Sequence, residues 1–120
     1  MRKFTKSTSH ALRGIYLIIR GQRNMRIHIS AVAVSVLLGF WLGISHLEWL
    51  TLILLFGLVL TAESLNTSLE HTLDCVSKDH REDIRDAKDV AAGAVLISVA
   101  VSLIAGAIIF LPKISALVYF

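Results

Sequence analysis

A chain of 120 residues, 55% of them hydrophobic and with a single proline, is too apolar for an ordinary water-soluble domain and too short for two. Its formal net charge of +3 is unevenly spread, because Arg2, Lys3, Lys6, Arg13, Arg20, Arg23 and Arg26 all precede the first long apolar run. One cysteine, Cys75, excludes an intramolecular disulfide and leaves the redox compartment undetermined.

From about Thr5 to Arg23, the residues Ala11, Leu12, Ile15, Ile18 and Ile19 recur at helical spacing while Arg13, Arg20 and Arg23 fall elsewhere on the wheel. This pattern predicts an amphipathic helix over 5–23 that lies on an anionic membrane surface and does not cross it. The same arginines interrupt what would be the apolar core of a secretory signal, and no small-residue cleavage site follows, so the chain is taken as mature. A first span is predicted over 27–45, closed by Ser45-His46-Leu47-Glu48. Trp49 opens a second apolar run that ends at Ala62; about 14 residues make about 21 Å of helix, short of a hydrocarbon core of about 30 Å. The helix must therefore continue through Glu63. The second span is predicted over 49–73, with Glu63 and Asn66 inside the membrane boundary and Glu70 and Asp74 near water. After the charged stretch 77–89, a third span is predicted over 89–111, ended by Pro112 and Lys113. Trp41 and Trp49 flank the first connection, where interfacial aromatic residues are expected.

Lys and Arg concentrate in the N-terminal segment and the 77–89 stretch and are absent from 45–48, which places both basic regions on the cytoplasmic side. The expected architecture is an all-α membrane protein, a single domain over 1–120, with three transmembrane helices and an N-terminal surface helix. Gly39, Gly43, Gly57 and Gly106 permit close helix packing without fixing the number of subunits.

Ionisable groups at membrane depth are costly, so several together point to function. At 100° per residue, Glu63, Asn66, Glu70 and Asp74 fall at about 0°, 300°, 340° and 20°, one stripe of the second helix. Oxygen donors of this kind suit a hard cation such as Mg²⁺, which keeps waters and substrate phosphates in its shell. The plainer alternative is a polar packing seam, or the wet end of a helix. Before the third span, Asp86 is read as an N-cap, and the free amides of the helix that follows, together with Lys88, would attract phosphate. Gly93, one turn past Asp89, would allow a close approach of backbone or ligand. Neither a GxxxxGK[ST] loop nor a GxGxxG fingerprint occurs. His71, Cys75 and His80 lack an obvious fourth partner for zinc. His10, His28 and His46 read as interfacial residues, and Ser9 and Ser64 have no visible base to make either a nucleophile. The basic N-terminus suits anionic lipid, and no nucleic-acid module is present.

The stretch Glu63-Ser-Leu-Asn66-Thr-Ser-Leu-Glu70-His-Thr-Leu-Asp74, followed by Ala87-Lys88-Asp89-Val-Ala-Ala-Gly93, resembles the signature of the bacterial integral-membrane diacylglycerol kinase family. Arg23-Asn24-Met25-Arg26-Ile27-His28 and Phe110-Leu111-Pro112-Lys113 are similar to its Gram-positive branch, many of whose members phosphorylate undecaprenol. The resemblance implies a homotrimer in the bacterial inner membrane that transfers the γ-phosphoryl of MgATP to a lipid alcohol at the cytoplasmic face. It implies Glu63 as general base, Asn66 as nucleotide contact, Glu70 as metal ligand that also meets the nucleotide, and Lys88 with Asp89 as the nucleotide-binding pair. Lys3 stands roughly where relatives have a basic residue that touches nucleotide. Gln22 replaces the family's usual glutamate metal ligand before the Arg-Asn pair: its amide still offers an oxygen to Mg²⁺ but no charge. The alternatives are a diacylglycerol kinase making phosphatidic acid and a degenerate, non-catalytic relative. A third class, an ion channel built on the same carboxylates, predicts conductance in planar bilayers.

Overall fold

The computed structural model describes residues 1–79 and 81–119 and is all-helical among them: α1 (Arg2–Gly21), α2 (Arg23–Leu42), α3 (His46–Val76) and α4 (Glu82–Val118). Helices α2, α3 and α4 are each long and apolar enough to cross a membrane. Helix α1 is amphipathic, has no buried residue, and leaves Leu12, Ile15, Tyr16 and Ile19 exposed along its length. An apolar stripe that meets no protein fits a helix lying in the bilayer interface.

Gln22 separates α1 from α2 with one residue of extended backbone, φ −115° and ψ 116°. Its N–H donates to the Ile18 carbonyl at 3.0 Å, its own carbonyl accepts from the Arg26 N–H at 3.3 Å, and Arg26 Nη1 donates to the Arg20 carbonyl at 2.7 Å. The corner is therefore closed on both sides, since end carbonyls of α1 that lack helical partners are satisfied by Gln22 and Arg26. Arg23–Arg26 form the first turn of α2, with Met25 buried, where the sequence pattern suggested the end of the surface helix and a link.

The α2–α3 turn is equally well determined. Gly43 takes the left-handed conformation, φ 63° and ψ 52°, that ends many helices, and Ser45 and Glu48 form a reciprocal capping box at the start of α3. Beside this turn Ile44, Leu52, Ile109 and Phe110 make the apolar core, with Leu38, Leu42, Trp49, Phe56 and Ile114 packed on it. Trp49 lies over Gly39, where a Cβ would stand 2.7 Å from the indole ring. Trp41, by contrast, is exposed. Gly57, Gly93 and Gly106 face open space within the chain.

Two expectations about α4 are corrected. The helix begins at Glu82, after Arg81, so Asp86 lies in its second turn and is not the N-cap, and the amides beside Lys88 are inside the helix. Charged residues at its start do not stop a helix when they sit on the watery side of the span; Glu82 and Asp83 in the first turn even favour it. Pro112 lies within α4 and does not end it. A proline forfeits one backbone hydrogen bond, but the turn beyond it is held to the rest of the bundle. Lys113 Nζ reaches Glu48 Oε2 at 3.4 Å and Ile114 packs on the core.

Most large apolar side chains of α2–α4 remain exposed, Leu37, Leu54, Leu96 and Ile108 among them. Such surfaces belong in lipid or against other copies. Gly39→Val is expected to lower unfolding stability in detergent by about 1–3 kcal/mol through overpacking against Trp49. The cost should largely vanish in a Trp49→Ala background, and equal costs in both backgrounds would show that the indole is not the obstacle.

Candidate active site

The polar stripe of α3 is graded by depth. Glu63 is 2% exposed and Asn66 8%, Glu70 is half-buried, and Asp74 is exposed. The deep end sits where α2 and α4 close over α3. There His28 Nε2 stands 3.6 Å from Glu63 Oε2, and both residues line a cavity of about 230 Å³ with Asn24 and the α4 residues Ala92, Val95, Leu96 and Val99. A second, largely apolar cavity of about 300 Å³ continues from His28 between the three helices toward Phe110.

Two buried side-chain oxygens beside Glu63 have no hydrogen-bond partner among the described residues: Asn66 Oδ1 and Thr67 Oγ1. Buried polar atoms are normally paired, so these two oxygens, one turn from a buried carboxylate, remain free to accept hydrogen bonds. Ser64, in contrast, is paired: its hydroxyl donates to the Leu60 carbonyl at 2.7 Å.

At the wet end, Lys88 Nζ donates to Asp74 Oδ1 at 2.6 Å, joining α4 to α3. Asp74 lies past the apolar part of its helix, and the hydrogen bond from Lys88 is the main cause holding its carboxyl below the usual aspartate range. These two residues share a cavity of about 640 Å³ with Lys78, Asp79, Arg81 and Arg85. Four cations and two carboxylates line this cleft, with Lys88 paired to Asp74 and Arg81 to Asp83, so its charge is net positive.

The chain brings Glu63 and His28 together at one level and Asp74 with Lys88 at another; Asn66 and Glu70 lie between them along the same face of α3. Asp89 is exposed beside Lys88. Gln22 is half-buried at the α1–α2 corner. Lys3 stands at the free end of α1, about 27 Å of helix from that corner, and is not brought to the other site residues. His71 and Cys75 are exposed on α3, His80 lies outside the described residues, and among the described residues no group of three His, Cys, Asp or Glu is assembled. Sequence reasoning missed His28, Thr67, Lys78, Arg81 and Arg85. The signal for His28 was its place on the same face as Asn24, one turn along an otherwise apolar helix.

The family model described as prokaryotic diacylglycerol kinase matches residues 9–110. The chain is 41% identical over 113 residues to the undecaprenol kinase of Bacillus subtilis, covering 94% of this chain and 92% of that one. It is 33% identical over 112 residues to a diacylglycerol kinase of Synechocystis, covering 92% of this chain and 64% of the relative. With the diacylglycerol kinase of Escherichia coli K12 the identity is 26% over 102 residues, 85% of this chain and 84% of the other.

The pairing of Asp74 has a direct check. In carbon-detected NMR of the aspartate-labelled protein, Asp74 should titrate below the ordinary aspartate range and move back toward it in Lys88→Met. An unchanged midpoint would mean that the two side chains are not paired in the membrane.

Proposed function

This chain belongs to the prokaryotic diacylglycerol kinase family, and we propose that it is a lipid kinase transferring the γ-phosphoryl group of ATP to the hydroxyl of undecaprenol. The observation that carries this reading is the buried Glu63 beside the orphaned amide oxygen of Asn66, on the stripe that runs out to the basic cleft at Lys88. A carboxylate at membrane depth meets a lipid hydroxyl, and a cationic cleft at the surface meets a nucleotide.

The acceptor hydroxyl gives its proton to Glu63 as its oxygen bonds to the γ-phosphorus. The bond from that phosphorus to the β–γ bridging oxygen breaks on the opposite side, and ADP leaves with the electron pair. Glu63 then passes the proton to water. Transfer is direct, with no phosphoenzyme. Asn66 orients the nucleotide, and Lys88 neutralises phosphate charge while Asp89 holds the nucleotide beside it. Lys3 would reach the nucleotide only if α1 folds back or belongs to a neighbouring protomer.

Mg²⁺ fits the donors available. Glu70 is the half-buried carboxylate of the stripe and makes no ion pair among the described residues, and Gln22 adds a neutral amide oxygen. Mg²⁺ is commonly held by one or two carboxylates together with phosphates and waters, so a three-residue cage is not required. Bound there, the ion would supply charge neutralisation on the β- and γ-phosphates.

The assembly is read as a homotrimer in the bacterial inner membrane with its active site on the cytoplasmic side. The exposed apolar faces of α2–α4 and the basic α1 and 77–89 region support that placement. A crosslinking ladder that stops at dimer would count against the trimer.

The test uses the purified protein in lipid nanodiscs with labelled MgATP and equal amounts of undecaprenol and dioleoylglycerol, with Glu70→Ala as blank. Undecaprenyl phosphate is expected as the main product, and Glu63→Gln should lower turnover by roughly 10²–10⁴-fold. Phosphatidic acid as main product would reassign the acceptor to diacylglycerol. No product from either lipid would make the chain a non-catalytic relative. Gln22→Glu should tighten Mg²⁺ binding, read as a lower half-saturating Mg²⁺ concentration.

A further inference from the structure

His28 occupies the junction of the two cavities between the spans, and on the Glu63 side it is the basic group within reach of that carboxylate. The other polar residues lining the apolar cavity do not compete for this position. Ser35 and Ser102 each return the hydroxyl to a carbonyl of their own helix, Ala31 and Ser98, at 2.8 Å. The carboxylate of Glu63 has no other basic side chain within ion-pairing distance among the described residues.

At 3.6 Å the pair stands just outside hydrogen-bond range, the spacing often found in a resting site that tightens when substrates arrive. Both side chains are largely enclosed, His28 17% and Glu63 3% exposed in their side chains, so neither can wander into solvent. A carboxylate has two oxygens, and a base needs one of them aimed at the hydroxyl it deprotonates. Something must hold the other.

We infer that His28 is a positioning residue for Glu63: its Nε2–H donates to Oε2 and so turns Oε1 toward the acceptor hydroxyl. In this role the imidazole holds the carboxylate in place and neither takes nor gives a proton in the transfer. This inference rests on the reading of Glu63 as general base for the lipid alcohol. It assigns a role to a residue on α2 that the polar stripe of α3 does not contain. It also explains why α2 starts immediately after Gln22, which brings His28 to the level of Glu63.

The experiment compares His28→Leu with His28→Gln in nanodiscs, measuring kcat and the KM for ATP with undecaprenol as acceptor. Leu keeps bulk and removes the donor; Gln keeps an N–H close to the position of Nε2. His28→Leu should lower kcat by about 100-fold, the scale of a misplaced reacting group, with the KM for ATP within about twofold of wild type. His28→Gln should recover most of that loss. Wild-type turnover at the Leu variant, an equal loss in both variants, or a loss that appears in the KM for ATP would each overturn the assignment. Product formation by the wild type is measured first. Its absence would remove the reading of Glu63 as base and this inference with it, whereas an active wild type with an equally active His28→Leu would overturn the inference alone.

Discussion

A carboxylate enclosed in a lipid-facing bundle is the constraint around which this chain is arranged. Placing Glu63 at 2% exposure between apolar helices is unfavourable unless polar groups compensate it, because neither lipid nor protein interior solvates a charge. The surroundings of that carboxylate draw on three helices at once. Helix α3 supplies the carboxylate with Asn66 and Thr67, α2 supplies His28 and Asn24, and α4 covers the cavity with Ala92 and Val95. The extended residue at Gln22 follows from the same requirement. If α1 ran on without a break, α2 would continue along the surface direction and His28 could not descend beside α3.

The apolar end of the bundle makes this arrangement reproducible. Gly43 ends α2, the Ser45–Glu48 box starts α3, and Trp49 sits on Gly39, so the hairpin has little freedom of register. Glu48 then also meets Lys113 of α4, tying the third span to the same corner. With that end locked by Ile44, Leu52, Ile109 and Phe110, a helix of 31 residues carries the rotation set at the turn to the far end. Register at the turn therefore becomes direction at the site. The rest of the apolar surface is left for lipid or for neighbouring copies.

What the sequence made legible was periodic. The stripe of Glu63, Asn66, Glu70 and Asp74 follows from 100° per residue, and the need to carry α3 past Ala62 follows from membrane thickness. Elements that depend on partners across the bundle were not legible. His28 read as one more interfacial histidine because nothing on α2 itself reveals that Glu63 lies opposite. Pro112 looked like a stop because the compensating contacts of Lys113 and Ile114 are tertiary. Asp86 looked like a cap because composition changes sharply near residue 89, but hydropathy marks the membrane boundary and not the helix boundary. The α4 helix begins two turns earlier, in water. The cations at 78, 81 and 85 were passed over as loop charges, since only the folded α3–α4 connection gathers them around Lys88.

The separation along α3 gives the two halves of the site different electrostatic tasks. From Glu63 to Asp74 is about 16 Å of helix, so the deep carboxylate and the basic cleft lie in media of different polarity. In the proposed mechanism a nucleotide extends its phosphates from the cleft inward, past Glu70, to a hydroxyl at the level of Glu63. Each carboxylate on that path repels the phosphates unless a cation stands between them. A glutamate at position 22 would strengthen the hold on Mg²⁺ while adding to that repulsion whenever the metal is absent. Gln22 moves the balance the other way, with less attraction for the ion and less opposition to the phosphates. In the proposed site more of the neutralisation then falls to Lys88 and the cations around it, which need no metal to carry their charge.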